Sequence, residues 1–245
     1  MSPATLKAAL RAFAARHRAW PLVLLHRALW YLGRRLFGPR TFTFQGRSLP
    51  YRVHPFILDN ERTVEIPLAL DAVERLRDPN PRILEVGNVL AAYADFERTV
   101  VDKYERAPGV LNVDILDYRP AEPFDLILCL STLEHIGHDE EPRDPGKALR
   151  ALDYLKTLLA PGGELLVTVP VGYHPDLDRV LASRHAAARG SAGPASDLQI
   201  VALERHGRFN RWRECPPDVA LARPFASKYS CANGLVAILF RSDLV

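Results

Sequence analysis

The chain has 245 residues, of which 48% are hydrophobic, 25% charged and 9% aromatic, a mixture that describes globular protein and excludes collagen-like or disordered composition. The longest N-terminal stretch free of charge, Ala19 to His26, is far shorter than the roughly 20 apolar residues of a membrane-spanning helix. The net charge of +3 is unevenly spread: ten Lys or Arg and no acid precede Asp59.

That basic segment reads first as helix. Leu6, Leu10, Phe13 and His17 mark one face from Thr5 onward, Pro21 interrupts, and Leu22, Leu25, Leu29, Leu32 and Leu36 form a second stripe stopped by Gly38-Pro39. Thr41 to Phe44, the turn Gln45-Gly46, and Leu49 to Val53 read as a hairpin. Residues 1–58 are thus expected to form a helical arm and a hairpin that cover the acceptor side of a body spanning 59–245. The arm's charge suits an anionic membrane surface, a phosphorylated substrate or the acidic body of the protein itself. Pro21 to Leu25 lies between arginines with no small-residue cleavage site after it, so no secretory signal is expected. Cys129, Cys215 and Cys231 form no CxxC pair and cannot all be paired, which fits a reducing, cytoplasmic compartment and leaves zinc no site by spacing.

The body begins with a helix from Asn60 to Asp78 that contains Pro67. Strands are then expected at Arg82–Gly87, Arg98–Asp102, Val110–Ile115, Phe124–Leu130, Glu164–Val169, Leu198–Leu203 and Leu235–Phe240, with a helix from Lys147 to Leu159. This alternation implies an α/β fold: a doubly wound, mainly parallel, seven-stranded Rossmann-like sheet. Arg189 to Pro194 reads as a surface loop.

In such a sheet ligands bind beyond the carboxyl ends of the strands. Glu85 and Gly87 end the first strand, Asp102 the second and Asp114 the third, while Ser131 to His135 follow the fourth. An acid at the end of the second strand suits the two hydroxyls of a ribose, and a glycine lets a cofactor approach the backbone. Glu85-Val86-Gly87-Asn88-Val89-Leu90 lacks the three glycines of a dinucleotide fingerprint and no phosphate-binding lysine follows, so an adenosine cofactor without a pyrophosphate is indicated.

Four ordered segments carry a resemblance: Ile83-Leu84-Glu85-Val86-Gly87, Val100-Val101-Asp102-Lys103-Tyr104, Phe124-Asp125-Leu126-Ile127 with Thr132-Leu133-Glu134-His135-Ile136, and Leu159-Ala160-Pro161-Gly162-Gly163-Glu164-Leu165. Together, over roughly Asn60 to Val171, they resemble the class I S-adenosylmethionine-dependent methyltransferases, with Asn88-Val89 standing where that family usually has a second glycine. The resemblance implies S-adenosylmethionine as cofactor and S-adenosylhomocysteine as product. It implies that Glu85 and Gly87 border the methionine part, Asp102 the ribose, and Asp114 with Ile115 the adenine, with Asn88, Lys103 and Ser131 among the cofactor contacts. Asp114 can equally cap the following helix, and Asn88 can be a turn residue.

A narrower similarity joins Asn60 to Pro67, Glu134 to Glu140, Val169 to Pro175, Asn210 to Glu214 and Cys231 to Asn233 to bacterial methyltransferases found with glycan-building enzymes. It implies O-methylation of a sugar or glycan hydroxyl. Methylation of a non-sugar natural product, at nitrogen or oxygen, and a non-catalytic cofactor-binding scaffold are the alternatives. A nucleic-acid substrate is not expected, because the segment after the fourth strand lacks an Asn/Asp-Pro-Pro-aromatic motif.

His135 is the candidate general base, a histidine being able to take a hydroxyl proton near neutral pH. His138, His174 and His206 compete for that role. Glu61, Arg62 and Glu65 are candidates to close the pocket, or else ordinary surface pairs. His138, Asp139, Tyr173, His174, Asn210 and Trp212 are candidate acceptor contacts, Trp212 equally a core residue. His138-Asp139-Glu140-Glu141 with Asp144 resembles an oxygen-rich cation site, so a divalent metal is possible, although such runs are usually solvated loops. A homo-oligomer is expected.

Overall fold

The computed structural model describes residues 32, 40–52, 60–190, 198–206, 211–225 and 232–243. The expected helical arm, with the single exception of residue 32, lies outside the described residues, as do Asn210, Cys231 and residues 191–194 of the expected loop. Arg189 and Gly190 instead close a helix.

Strands β1 (Thr41–Phe44) and β2 (Arg47–Pro50) form the hairpin. Its turn residues Gln45 and Gly46 take φ of +48° and +76°, the left-handed values that a two-residue hairpin turn demands. The main elements then follow: α1 (Arg62–Glu74), β3 (Ile83–Val86), β4 (Thr99–Val101), β5 (Val110–Leu111), β6 (Phe124–Leu130), α2 (Lys147–Thr157), β7 (Leu159–Pro170), α3 (Pro175–Gly190), β8 (Leu198–His206), β9 (Arg211–Cys215), α4 (Pro217–Leu221) and β10 (Gly234–Arg241).

Among the described residues the sheet has eight strands, not seven, in the order β5-β4-β3-β6-β7-β10-β8-β9. The five from β5 to β7 run parallel; β10 is antiparallel to both β7 and β8, and β9 is antiparallel to β8. The additional strand is β9, whose sequence Arg-Trp-Arg-Glu-Cys buries only its Trp on an outer edge and so carries no apolar run. Strand β5 is two residues long where six were expected, because the chain leaves the sheet at Asn112 and turns at Asp114. Strand β7 begins five residues early: Leu159 pairs with Phe124, Ala160 to Gly163 bulge out, and pairing resumes at Glu164.

Alternate residues of β6 face opposite sides, Ile127 and Cys129 toward α2 and α3, and Leu126, Leu128 and Leu130 toward α1. Both faces are therefore covered, as a parallel sheet requires. Helix α1 is buried nearly all round from Thr63 to Ala69, and Asn60 accepts the Arg62 amide at its start, 3.2 Å away. The hairpin packs on the α1 face, where Phe42, Phe44, Leu49 and Tyr51 share a core with Trp212. Among the described residues no helix is long and apolar enough to cross a membrane.

Candidate active site

A cleft of about 770 Å³ opens beyond the carboxyl ends of β3, β4 and β6, a size suited to a small-molecule ligand. Gly87, Asn88, Asp102, Lys103, Asp114, Ile115, Ser131, His135 and Asp139 all line it, as do Glu61 and Arg62 from the start of α1.

Gly87 ends β3 with φ +84°, and a Cβ there would lie 2.3 Å from Thr132 Oγ1. Any side chain would collide with the turn after β6, so the glycine keeps these two loops in contact. Asp102 follows β4. Its Oδ1 accepts the amides of Tyr104 and Glu105 at 2.8 and 2.7 Å, and Oδ2 has no partner among the described residues. The carboxylate is thus oriented by its own loop with one oxygen left for a ligand. Asn88 donates to Glu105 at 2.8 Å, which ties the β3 and β4 loops together.

Asp114 lies in the cleft, yet both its oxygens are engaged. Oδ1 accepts the Leu116 amide at 3.1 Å, and Oδ2 pairs with Lys147 at 2.5 Å and Lys103 at 3.0 Å. Glu140 joins the same two lysines at 2.6 and 3.1 Å. Burial works against charge on both acids, but the lysines outweigh it and hold both carboxyls below their usual range. The three donors to Asp114 leave its Oδ1 one further lone pair with which it could accept a bond from an adenine amine. Sequence reasoning missed Lys147, since nothing in its spacing marks it as a partner of Asp114.

Glu85 is corrected more sharply. It is fully buried outside the cleft, with Oε1 on the Leu90 amide at 2.7 Å and Oε2 on Arg98 Nε at 2.6 Å. It fastens the β3 loop instead of touching a ligand. Burial raises its carboxyl above the ordinary range despite those bonds.

Behind the cleft wall the start of α1 meets the end of β6. Ser131 has φ +38°, an uncommon value for a residue with a side chain. Its hydroxyl donates to Glu65 Oε1 at 2.5 Å, and Thr168 donates to the same oxygen at 2.7 Å. Glu65 is fully buried and pairs with Arg62 at 2.9 Å, so it holds the floor together and does not close the pocket. Arg62 also donates to the Leu130 carbonyl at 3.2 Å, and Glu61 accepts the Ala232 amide at 3.0 Å. Glu134, one residue before His135, is 1% exposed and its Oε2 has no hydrogen-bond partner among the described residues. Burial, aided by the charge of Glu65, pushes the carboxyl of Glu134 well above its usual value, and that of Glu61 upward.

On the opposite wall His135 is nearly half exposed at 46%, with Nδ1 2.5 Å from Asp139 Oδ2. Tyr173 donates to that same oxygen at 2.8 Å and packs edge-on against His135, His138 and Phe225. Burial, then the bond to Asp139, raises the Tyr173 hydroxyl to about 12. His174 is 1% exposed, stacked on His138 at 4.3 Å, and burial lowers its pKa. It lies behind His138, and neither it, His138 nor Tyr173 lines the cleft. Trp212 is core, 2% exposed beneath the hairpin and bonded through its backbone to Tyr51, so it forms no sugar platform. The hairpin lines no part of the cleft, which corrects its expected role as a cover.

The cation reading also fails on geometry. Asp139 is held by His135 and Tyr173, Glu140 by two lysines, and Asp144 by Arg150. Among the described residues no group of three or more His, Cys, Asp or Glu can hold a metal ion.

No family model and no curated protein matches the chain. Solved structures with similar folds do. The N-methyltransferase NodS from Bradyrhizobium japonicum WM9, crystallised with S-adenosylhomocysteine, has 17% identity and TM-score 0.37, covering 66% of this chain and 78% of NodS. An rRNA methylase from Streptococcus thermophilus has 15% identity and TM-score 0.44 over 73% of this chain and 96% of its own. An S-adenosylmethionine-dependent methyltransferase from Clostridium acetobutylicum ATCC 824 has 12% identity and TM-score 0.36 over 71% and 89%.

Proposed function

We propose that the protein is an S-adenosylmethionine-dependent methyltransferase acting on a hydroxyl of a sugar or glycan-type acceptor. The observation that carries the cofactor reading is the pairing of Gly87 and Asp102 at adjacent strand ends. One ends its strand with no side chain of its own and packs on Thr132, and the other offers a carboxylate oxygen without a partner among the described residues, both lining one cleft. The residues fit the group: Asp102 would hold the ribose, Ile115 the adenine, and Gly87, Asn88 and Ser131 would flank the methionine part near Arg62. The bound cofactor supplies an electrophilic methyl carbon.

What the chain contributes is alignment and proton removal. His135 lies beyond β6 on the wall away from Asp102, where it can take the acceptor's proton.

Calorimetry with S-adenosylhomocysteine tests the reading. Asp102→Ala removes a charge-assisted contact and is expected to weaken binding by about 1.5–3 kcal/mol. Unchanged affinity would reject the assignment of Asp102, and no binding to the native protein would reject the cofactor.

A further inference from the structure

One carboxylate oxygen beside the cleft gathers two side chains from separate parts of the fold. Asp139 stands four residues after His135, and its amide donates to the His135 carbonyl at 3.1 Å, so the 2.5 Å contact of Oδ2 with Nδ1 is set by a local turn. Tyr173 arrives from the loop after β7. That loop is fixed by Gly172, with φ +88° and a Cβ position only 2.8 Å from the Phe225 backbone nitrogen. The Gly172 amide also donates to Asp178 at 2.8 Å. From there the Tyr173 hydroxyl reaches Asp139 Oδ2, and its ring lies 4.7 Å from that of His135.

The imidazole is therefore held along its Nδ1 edge and over one flank. Among the described residues its other nitrogen makes no such bond: the nearest carboxylate oxygen to Nε2, Glu134 Oε1, is 3.7 Å away, beyond hydrogen-bond reach. Partial burial disfavours charge on Asp139, but the bonds from His135 and Tyr173 outweigh it and keep the carboxyl below its ordinary range. An ionised carboxylate only accepts, so the short contact puts the proton of a neutral imidazole on Nδ1 and its lone pair on Nε2.

We propose that Asp139 and Tyr173 are positioning residues for His135, keeping it in the Nδ1–H form with Nε2 as the proton acceptor for methyl transfer, and are not acceptor contacts. The role of Nε2 rests on the methyltransferase reading; the tautomer does not. In the step served, the acceptor O–H gives its proton to Nε2 as its oxygen bonds to the methyl carbon. The carbon–sulfur bond breaks with its electron pair going to sulfur, leaving a neutral thioether and an imidazolium paired with Asp139.

The test is two-bond proton–nitrogen NMR of the full chain labelled with 15N-histidine, recorded above the imidazole titration. His135→Gln identifies the His135 signals. The native protein is expected to show a protonated Nδ1 and an unprotonated Nε2. An amide at position 139 can donate to Nδ1, so Asp139→Asn is expected to move the ratio of the two forms toward Nε2–H. The change should be roughly three- to tenfold, modest because the pair is nearly half exposed. Tyr173→Phe should move it part of the way. A native ring in the Nε2–H form, or an unchanged ratio in Asp139→Asn, overturns the proposal; an unchanged ratio in Tyr173→Phe removes Tyr173 from it. S-adenosylhomocysteine titration of the same samples separates the two readings. Asp139→Asn should bind within about twofold of native, and a native protein that binds none would sink the methyltransferase reading whatever the tautomer.

Discussion

Asp178 shows how a single residue can hold a working loop at a cost to stability. Its Oδ2 accepts the Gly172 amide, while Oδ1 is buried without a partner among the described residues, and burial pushes the carboxyl up to about 6 against the pull of that bond. Between about pH 4 and 6 the folded chain keeps a proton that the unfolded chain has released. Stability from this group therefore falls as pH rises through that window, and the full cost is felt above it. Asp178→Asn keeps an acceptor for Gly172 and removes the charge. Thermal melts should show no gain near pH 4 and a gain of roughly 2–5 °C near pH 7. A difference that is constant with pH would show that the charge at Asp178 is not what matters. At this scale the sequence was most legible where a residue ends a strand and lines the cleft, as Gly87 and Asp102 do. Glu85 misled for a physical reason: an acid at a strand end reads the same whether it meets a cofactor or a buried arginine thirteen residues on.

The hairpin and β9 make the same point for elements. Tyr51 accepts the Trp212 amide at 2.8 Å and can return its proton to the Trp212 carbonyl at 3.3 Å, which couples β9 to the segment after β2. Tyr51→Phe removes both of these buried bonds and should cost about 1–3 kcal/mol of stability. Its affinity for S-adenosylhomocysteine should stay native, since the hairpin lies at the β9 edge and lines no part of the cleft. Loss of affinity with stability retained would restore the hairpin to the site. Strand β6 was legible to the residue because a strand covered on both faces must be apolar throughout. Strand β9 was not, because an edge strand buries one residue in five. Helix α3 escaped notice because its core contact rests on Leu177 and Leu181 amid polar residues.

For the whole molecule the charge division remains the main feature not yet tied to the cleft: residues 1–55 carry ten bases and no acid, and the remainder carries 22 bases against 29 acids. We propose that the basic segment meets an anionic surface. Sedimentation with anionic lipid vesicles should then show binding at about 50 mM salt that is lost near 500 mM, as the Debye length shortens. Absence of binding at both salt concentrations would refute it. No pattern in the sequence announced that the sheet would change from parallel to antiparallel beyond β7, because that choice is made by pairing between distant segments.

The position of β10 bears on how the chain is made. It follows β8 and β9 in sequence but lies between β7 and β8, and just ahead of it Ala232 supplies the amide that Glu61 accepts in the cleft wall. While β10 is not yet in place the outer edge of β7 is bare, an unpaired apolar edge of the kind that draws other chains. Until residues 232–241 emerge, β8 and β9 have no place to dock and the cleft wall lacks one of its hydrogen bonds. A chain truncated just before Gly234 should therefore aggregate unless chaperones hold it, whereas one that extends through Arg241 should complete sheet and pocket together.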